Sequence, residues 1–343
     1  MLLQTLMITT ALAAAPHDGL MTEATTADRV AYVQSLMPDL NRHASSRYII
    51  LSDSDRELIT EAQNTLEETR RQYDRWCRAV DVKAPRPDQR LISIVFHDRE
   101  SFLEFAKQTE VDNAPTHHIE GYFSPRYEWL GLFNPADADD LSRADDRLAE
   151  AWAEVDRAAE QGADPQAVAK ARQQLADAGA ELQEAERARR AAVIIHEAVH
   201  QLVHVSTAFP GRHRWPVWLH EAIAVSFETD NRRRPFGPDR TDARRRAAFE
   251  TYLEAEELLP LKELVATESL QYDEGKRTNI IYCQSAALLS WMHLKRRAEL
   301  SNLLQTVGTT GKDGQVISAP KRMAELLGPL DQFERRWLND EHR

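Results

Sequence analysis

Short apolar runs and longer stretches with helical spacing alternate through the first third of the chain. Residues 48–51 and 91–96 are apolar runs typical of buried strands. Between them, residues 52–55 offer an N-cap to an amphipathic helix whose apolar positions continue to about Trp76. Pro85 and Pro87 mark a loop before the second run. This pattern predicts a sheet with helices packed against it.

The pattern changes abruptly at residue 137, where Ala, Asp, Glu, Arg and Gln become dominant up to residue 190. These residues favour helix, and the break at residues 162–165 places Asp164 as a cap and Pro165 at the start of a second helix. The segment therefore predicts a charged helical hairpin, inserted after the sheet, whose second arm runs on into His196. A solvated excursion is one interpretation of its surface, and a docking site for a protein partner is the other.

A buried helix with three ionisable side chains follows the hairpin. Residues 191–195 are apolar and lead into His196-Glu197-Ala198-Val199-His200. Positions i and i+4 share one face of a helix, so both imidazoles can bind one metal ion, and Glu197 can reach a water beside it. Such groups are costly to bury unless something satisfies them, and a metal ion would do so. The pattern is the HExxH arrangement of zinc metallopeptidases.

A site of this type needs a third protein ligand. His204 continues the helix face, but the metzincin pattern requires Gly and His where this chain has Val203 and Ser206. The better candidate is Glu221, on a second helix that begins near Pro216. We therefore predict that one Zn²⁺ is held by the two motif histidines and Glu221, with Glu197 as the general base.

The two helices resemble those of the gluzincins, in particular the peptidase MA-like families. Their second helix reads Trp-Leu-x-Glu-Gly-x-Ala, which is matched here by Trp218, Leu219, Glu221 and Ala224, with Ala222 in place of Gly. The resemblance implies an α+β, thermolysin-like metallopeptidase domain with a mixed sheet over a helical half. It also implies that residues 121–123 and 129–133 form a strand pair over the cleft.

Two more positions take their roles from the resemblance. Tyr282, in a Tyr-x-x-Ser pattern, corresponds to the tyrosine whose hydroxyl steadies the oxyanion. Many gluzincins support the first histidine with an acidic residue four positions after the glutamate ligand, where this chain has Val225. Glu228 or a backbone carbonyl is the candidate replacement.

The expected function is zinc-dependent hydrolysis of a peptide or protein substrate, with Glu197 moving the proton. The alternative is an inert zinc-stabilised scaffold or protein-binding module. The expected organisation is a signal peptide over residues 1–15, an α/β part with the sheet over 16–136, the charged insertion over 137–190, and a helical part with the zinc site over 191–343. The signal peptide predicts export to the periplasm or outside the cell, and a disordered cytoplasmic N-terminus is the alternative.

Composition limits the partners. The chain has 343 residues, with 43 basic and 55 acidic side chains and a net charge of −12, so broad affinity for nucleic acid is not expected. No internal stretch is long and apolar enough to span a bilayer. Cys77 and Cys283 leave open whether one disulfide forms.

Other conspicuous side chains receive structural interpretations. These are solvent-facing roles for His117 and His118, a structural role for His220, core packing for Trp215, Trp218 and Trp337, and a solvated basic loop for residues 232–234 and 244–246.

Overall fold

The computed structural model of the chain describes residues 24–82, 89–110, 119–134, 139–229, 231–270 and 275–341. The predicted signal peptide, the loop with Pro85 and Pro87, and the pair His117 and His118 lie outside the described residues.

A mixed five-stranded sheet forms the first half of the structure, as predicted. Its strands are β1 (Asn41–Ala44), β2 (Tyr48–Ser52), β3 (Leu91–Phe96), β4 (Gly121–Ser124) and β5 (Trp129–Phe133). The order across the sheet is β1-β2-β3-β5-β4. The pairs β2–β3 and β3–β5 are parallel, whereas β1–β2 and β4–β5 are antiparallel. The three central strands are buried along their whole length, because both faces of the sheet are covered.

Twelve α-helices lie in the described residues. They are α1 (Thr26–Leu36), α2 (Arg56–Ala79), α3 (Arg99–Thr109), α4 (Asp139–Glu160), α5 (Pro165–Val205), α6 (Val217–Phe227), α7 (Ala243–Glu254), α8 (Leu261–Leu264), α9 (Gly275–Lys295), α10 (Arg297–Thr306), α11 (Ala319–Leu327) and α12 (Leu330–Glu341). No helix among the described residues has the length and apolar character needed to cross a membrane. The fold class is therefore α+β.

The two faces of the sheet have different cores. Alternate residues along a strand point to opposite faces. On β2, Ile49 and Leu51 join an aromatic cluster with α1 and α3. Tyr48 and Ile50 join the larger core formed with α2, α5, α6 and α9. Asp55 caps α2 by accepting a hydrogen bond from the Leu58 amide, as the sequence predicted. The sheet thus separates a small outer layer from the helical half.

The charged insertion is a helical hairpin, and its turn is where the sequence placed it. The side chain of Asp164 accepts a hydrogen bond from the Gln166 amide, and Pro165 is the first residue of α5. Helix α5 continues for 41 residues, so the predicted continuity of the second arm with His196 is confirmed. At 1.5 Å per residue, such a helix is roughly 60 Å long.

The hairpin has one partly buried seam and a polar surface. On α5 the partly buried positions are spaced by three or four residues: Val168, Ala171, Leu175, Gly179 and Leu182. This spacing is that of a two-helix seam. The base of the hairpin is held by ion pairs of Arg189 with Glu120 and of Arg190 with Glu61.

The helical half packs around the C-terminal third of α5. Every residue of α6 is buried, as is the stretch of α9 from Thr278 to His293. Trp337 is fully buried and stacks on Phe249, which confirms that it anchors the last helix. Cys77 and Cys283 are both buried free thiols, so they do not form a disulfide.

Candidate metal centre

The three predicted ligands converge inside the helical half. His196 and His200 lie one turn apart on α5, and Glu221 reaches them from α6. The Nε2 atoms of the two histidines are 3.0 Å apart. Oε2 of Glu221 is 3.1 Å from Nε2 of His196 and 3.6 Å from Nε2 of His200. Two helices thus bring three ligand atoms of the right chemical type to one point.

This triangle fits a tetrahedral metal ion. With metal–ligand bonds of about 2.0–2.1 Å, neighbouring ligands of tetrahedral zinc lie roughly 3.3–3.4 Å apart. The separations found here, 3.0, 3.1 and 3.6 Å, lie on either side of that value. The side chains are almost fully enclosed, since His196 and Glu221 are 0 % exposed and His200 is 3 % exposed. The residues present therefore fit a metal ion, although their geometry alone does not establish which metal it is.

Without a metal ion, the hydrogen bonds between the histidines and the carboxylates determine which of these groups are charged. Burial opposes a charge on His196, but its hydrogen bonds with Glu221 and Glu228 raise the pKa of its imidazolium to about 10. Burial also opposes a charge on Glu221, yet the two histidines hold the pKa of this carboxyl well below its usual range. Burial lowers the pKa of His200. A metal ion entering the site would therefore displace a proton from His196.

Glu197 lies beside the cluster, beneath the sheet edge. A Cβ on Gly121, in strand β4, would stand only 3.2 Å from Cγ of Glu197. Within the described part of the chain, neither carboxylate oxygen makes a hydrogen bond of normal geometry, although the Phe123 amide is close enough to lower the pKa. Burial, opposed by the charge of His196 and reinforced by that of Glu221, raises the pKa of Glu197 to about 8. A carboxyl in this state can both take up and release a proton near neutral pH.

His196 has a carboxylate partner behind it, as one of the sequence alternatives proposed. Its Nδ1 donates a hydrogen bond to Oε1 of Glu228 at 2.9 Å. Glu228 is the C-cap residue of α6, so the chain ends this helix where the carboxylate can turn back to α5. This bond fixes the tautomer of His196 and leaves Nε2 directed at the cluster. Glu228 therefore occupies the role that Val225 cannot fill.

The basic run 244–246 is not simply a solvated loop, and this interpretation was wrong for Arg245. The run forms the start of α7, where the side chains of Arg244 and Arg246 are 46 % and 36 % exposed but that of Arg245 is only 8 % exposed. Arg245 donates from Nε to Oε2 of Glu228 at 2.7 Å and from Nη2 to Oε1 at 3.0 Å. One sequence signal could have revealed it. Arg245 shares a helix face with Phe249, an aromatic residue four positions later.

In the other basic run, Arg232 also has structural partners. It donates to the hydroxyl of Thr65 and to the carboxylate of Glu61, and its side chain is 28 % exposed.

Tyr282 lies beside the cluster on α9. Its ring centre is 6.1 Å from that of His196, and the residue is 1 % exposed. The guanidinium of Arg245 lies over the same ring, 5.7 Å from its centre. The structure thus brings Tyr282 next to a proposed metal ligand.

Gln201 was missed by sequence reasoning although it follows a ligand directly. Its side-chain amide is buried and donates to two backbone carbonyls, that of Ile92 at 3.0 Å and that of Glu128 at 2.9 Å. The first lies in β3 and the second in the turn between β4 and β5. Gln201 thereby ties α5 to both the sheet centre and the strand pair at its edge.

The remaining histidines of the region lie outside the ligand triangle. The ring of His204 packs against Phe123, with ring centres 5.2 Å apart. His220 is 7 % exposed, and its Nε2 donates to the Arg212 carbonyl at 3.0 Å. Burial lowers the pKa of His220 to about 3, so it is neutral and can serve as a hydrogen-bond donor in the core. The indole nitrogens of Trp215 and Trp218 also donate to backbone carbonyls, consistent with core packing.

The part of the chain that contains the candidate metal centre matches one protein family. Residues 190–311 match the family described as "Protein of unknown function (DUF1570)". The matched range contains the ligand triangle, Glu197, Glu228, Arg245 and Tyr282. No curated protein and no solved structure matches the chain.

Proposed function

We propose that the protein is a zinc-dependent peptidase of the gluzincin type. The observation that carries the proposal is the ligand triangle, with edges of 3.0, 3.1 and 3.6 Å, beside a buried glutamate that is not a ligand. A purely structural zinc site has no need of the Glu197 carboxylate. Two histidines and a glutamate are also a known ligand set of catalytic zinc in peptidases.

Zinc, when bound, supplies Lewis acidity that polarises a peptide carbonyl and acidifies a water molecule. Glu197 takes a proton from the attacking water and passes it to the nitrogen of the leaving amine. Its raised pKa, about 8 without metal, suits a group that must do both. The hydroxyl of Tyr282 donates a hydrogen bond to the carbonyl oxygen as negative charge develops there.

The sheet edge supports a peptide as the substrate. Strand β4 ends the sheet order, and its only paired neighbour among the described strands is β5. An extended peptide can add to such an edge through backbone hydrogen bonds, without regard to its sequence. A Cβ on Gly121 in this strand would meet the side chains of Val193 and Glu197, so a peptide on the edge would lie close to the general base.

The first test is metal content. The full-length protein, purified without chelating resin and supplied with zinc, should contain one zinc ion per chain by mass spectrometry. His200→Ala should lose it, while His204→Ala, one turn further along α5, should keep it. A parent protein that takes up no zinc would refute the proposal.

The second test separates catalysis from structure. Glu197→Gln should retain zinc but lower peptide hydrolysis by roughly 10²–10⁴-fold, the scale of general acid–base assistance. Full activity in this variant would show that Glu197 is not the base.

Burial of the centre favours one alternative, an inert zinc-stabilised scaffold. None of the three ligands is more than 3 % exposed, and closed sites are characteristic of structural zinc. In that case, chelation should lower the melting temperature and no peptide library should be cut by the zinc-loaded parent.

A further inference from the structure

One guanidinium contacts three groups around the centre. Arg245 binds both carboxylate oxygens of Glu228, lies over the ring of Tyr282, and donates from Nη1 to Oδ1 of Asn279 at 3.5 Å. We propose that Arg245 is a positioning residue that fixes the imidazole of His196 and the ring of Tyr282 in one arrangement, an inference that rests on the proposed metal centre.

The first step concerns Glu228. This carboxylate is 1 % exposed, so it is costly to bury without a hydrogen-bonded partner of opposite charge. Two charge-assisted hydrogen bonds from Arg245 supply the positive partner of this carboxylate. The planar fork of an arginine also sets the plane of the carboxylate, which a lysine cannot do.

The second step leads to the ligand. Oε1 of Glu228 accepts from both Arg245 and Nδ1 of His196. The orientation of the carboxylate therefore determines where the imidazole points and which of its nitrogens carries the proton. Arg245 reaches the metal ligand through this single shared oxygen.

The third step brings in Tyr282. Its ring is held from one side by the Arg245 guanidinium and lies 6.1 Å from the His196 ring. Asn279, which accepts from Arg245, is on the same helix and donates to the hydroxyl of Tyr252 at 2.8 Å. Helix α7, the end of α6 and helix α9 thus meet at one side chain. Arg245 can set both the metal ligand and the tyrosine, because both positions depend on the same planar group.

The experiment uses the full chain and metal alone as the probe. Zinc affinity is measured by competition with a chromogenic chelator, and the visible spectrum of the cobalt(II) form reports the ligand geometry. Arg245→Lys keeps the charge but loses the fork, so it should bind zinc at least ~10-fold more weakly, the lower end of the usual effect of such partners. Its cobalt spectrum should also differ from that of the parent. Arg246→Lys, a control on the same helix whose ion-pair partners are Glu250 and Glu341 and not Glu228, should match the parent in both measurements.

A double variant tests the route. Because Arg245 acts on zinc through Glu228, Glu228→Gln combined with Arg245→Lys should bind zinc no more weakly than the weaker of the two single variants. If Arg245→Lys does not fold, a second double variant is used, which combines Glu228→Gln with Arg245→Met and is neutral at both positions. Its zinc affinity is compared with that of Glu228→Gln alone. Equal affinities in that pair support the proposal, and a further loss of ~10-fold or more overturns it.

The outcomes separate this inference from the proposed function. If the parent binds zinc and Arg245→Lys keeps its affinity and cobalt spectrum, the positioning role is refuted while the peptidase proposal stands. If the losses from the two single variants simply add, the route through Glu228 is refuted. If the parent binds neither metal, both proposals fail.

Discussion

Replacing Glu197 with glutamine should change how the stability of the metal-free protein depends on pH. Burial, opposed by His196 and reinforced by Glu221, raises the pKa of the parent carboxyl from 4.5 to about 8 in the folded state. At this position the folded protein therefore binds more protons than the unfolded chain between these values, and the contribution of Glu197 to stability falls as pH rises through this window. Glutamine has the same shape and no proton to lose.

The magnitude follows from the width of the window. Each pH unit between the unfolded and folded pKa corresponds to about 1.4 kcal/mol, so the parent should lose up to about 5 kcal/mol relative to the variant. The loss should begin near pH 4.5 and be complete above about pH 8. Below pH 4.5 the difference between the two proteins should not depend on pH.

Urea denaturation of both proteins in the presence of a chelator, at several pH values across this range, measures the difference. Glu181→Gln makes the same substitution at an exposed position of the same helix and should follow the parent at every pH. If the parent does not lose stability relative to Glu197→Gln as pH rises from 4.5 to 8, Glu197 is not a buried, proton-holding carboxyl.

Three further predictions concern neighbouring side chains. Tyr282→Phe should leave zinc content and folding unchanged but cost ~2–4 kcal/mol of transition-state stabilisation, which lowers kcat on a cleaved peptide. A shift in melting temperature with unaltered turnover would indicate a core role instead. Gln201→Leu removes the bonds to the carbonyls of Ile92 and Glu128 and should destabilise the protein by roughly 1–3 kcal/mol in urea unfolding, since the amide that makes them is buried. Zinc affinity should rise about tenfold per pH unit up to about pH 10, because the metal displaces the proton that the bonded carboxylates hold on His196; a pH-independent affinity in calorimetry would contradict this.

Features set by local sequence were predictable. Helical spacing alone places His196 and His200 on one face, and the Asp164-Pro165 pair ends one arm and starts the next. Glu221 required more, because its approach to α5 depends on how two helices pack. The sequence indicated it through the need for a third ligand and a second helix starting near Pro216, and the resemblance supported that choice. Strand β1 was not predicted, because its residues are largely exposed and show no apolar alternation.

Arg245 shows where sequence reasoning ends. Three consecutive arginines point about 100° apart on a helix, and Phe249, four positions after Arg245, is the sequence signal for which of them faces the core. No such signal identifies the partner that it meets there. Its partner Glu228 lies beyond the end of another helix, so the pairing is set by tertiary packing. The same is true of Gln201, whose two acceptors come from strand β3 and from the turn between β4 and β5.

Because of the regular seam, the length of the helical hairpin can change without moving the residues of the candidate metal centre. Seven residues added to each arm would keep the three-and-four spacing of the seam and move the tip outward by roughly 10 Å. The base would stay where Arg189 and Arg190 pair with Glu120 and Glu61, so the rotation of α5 around His196 would not change. Such a chain could adjust its reach in whole heptads while the same two imidazoles and carboxylate keep their places.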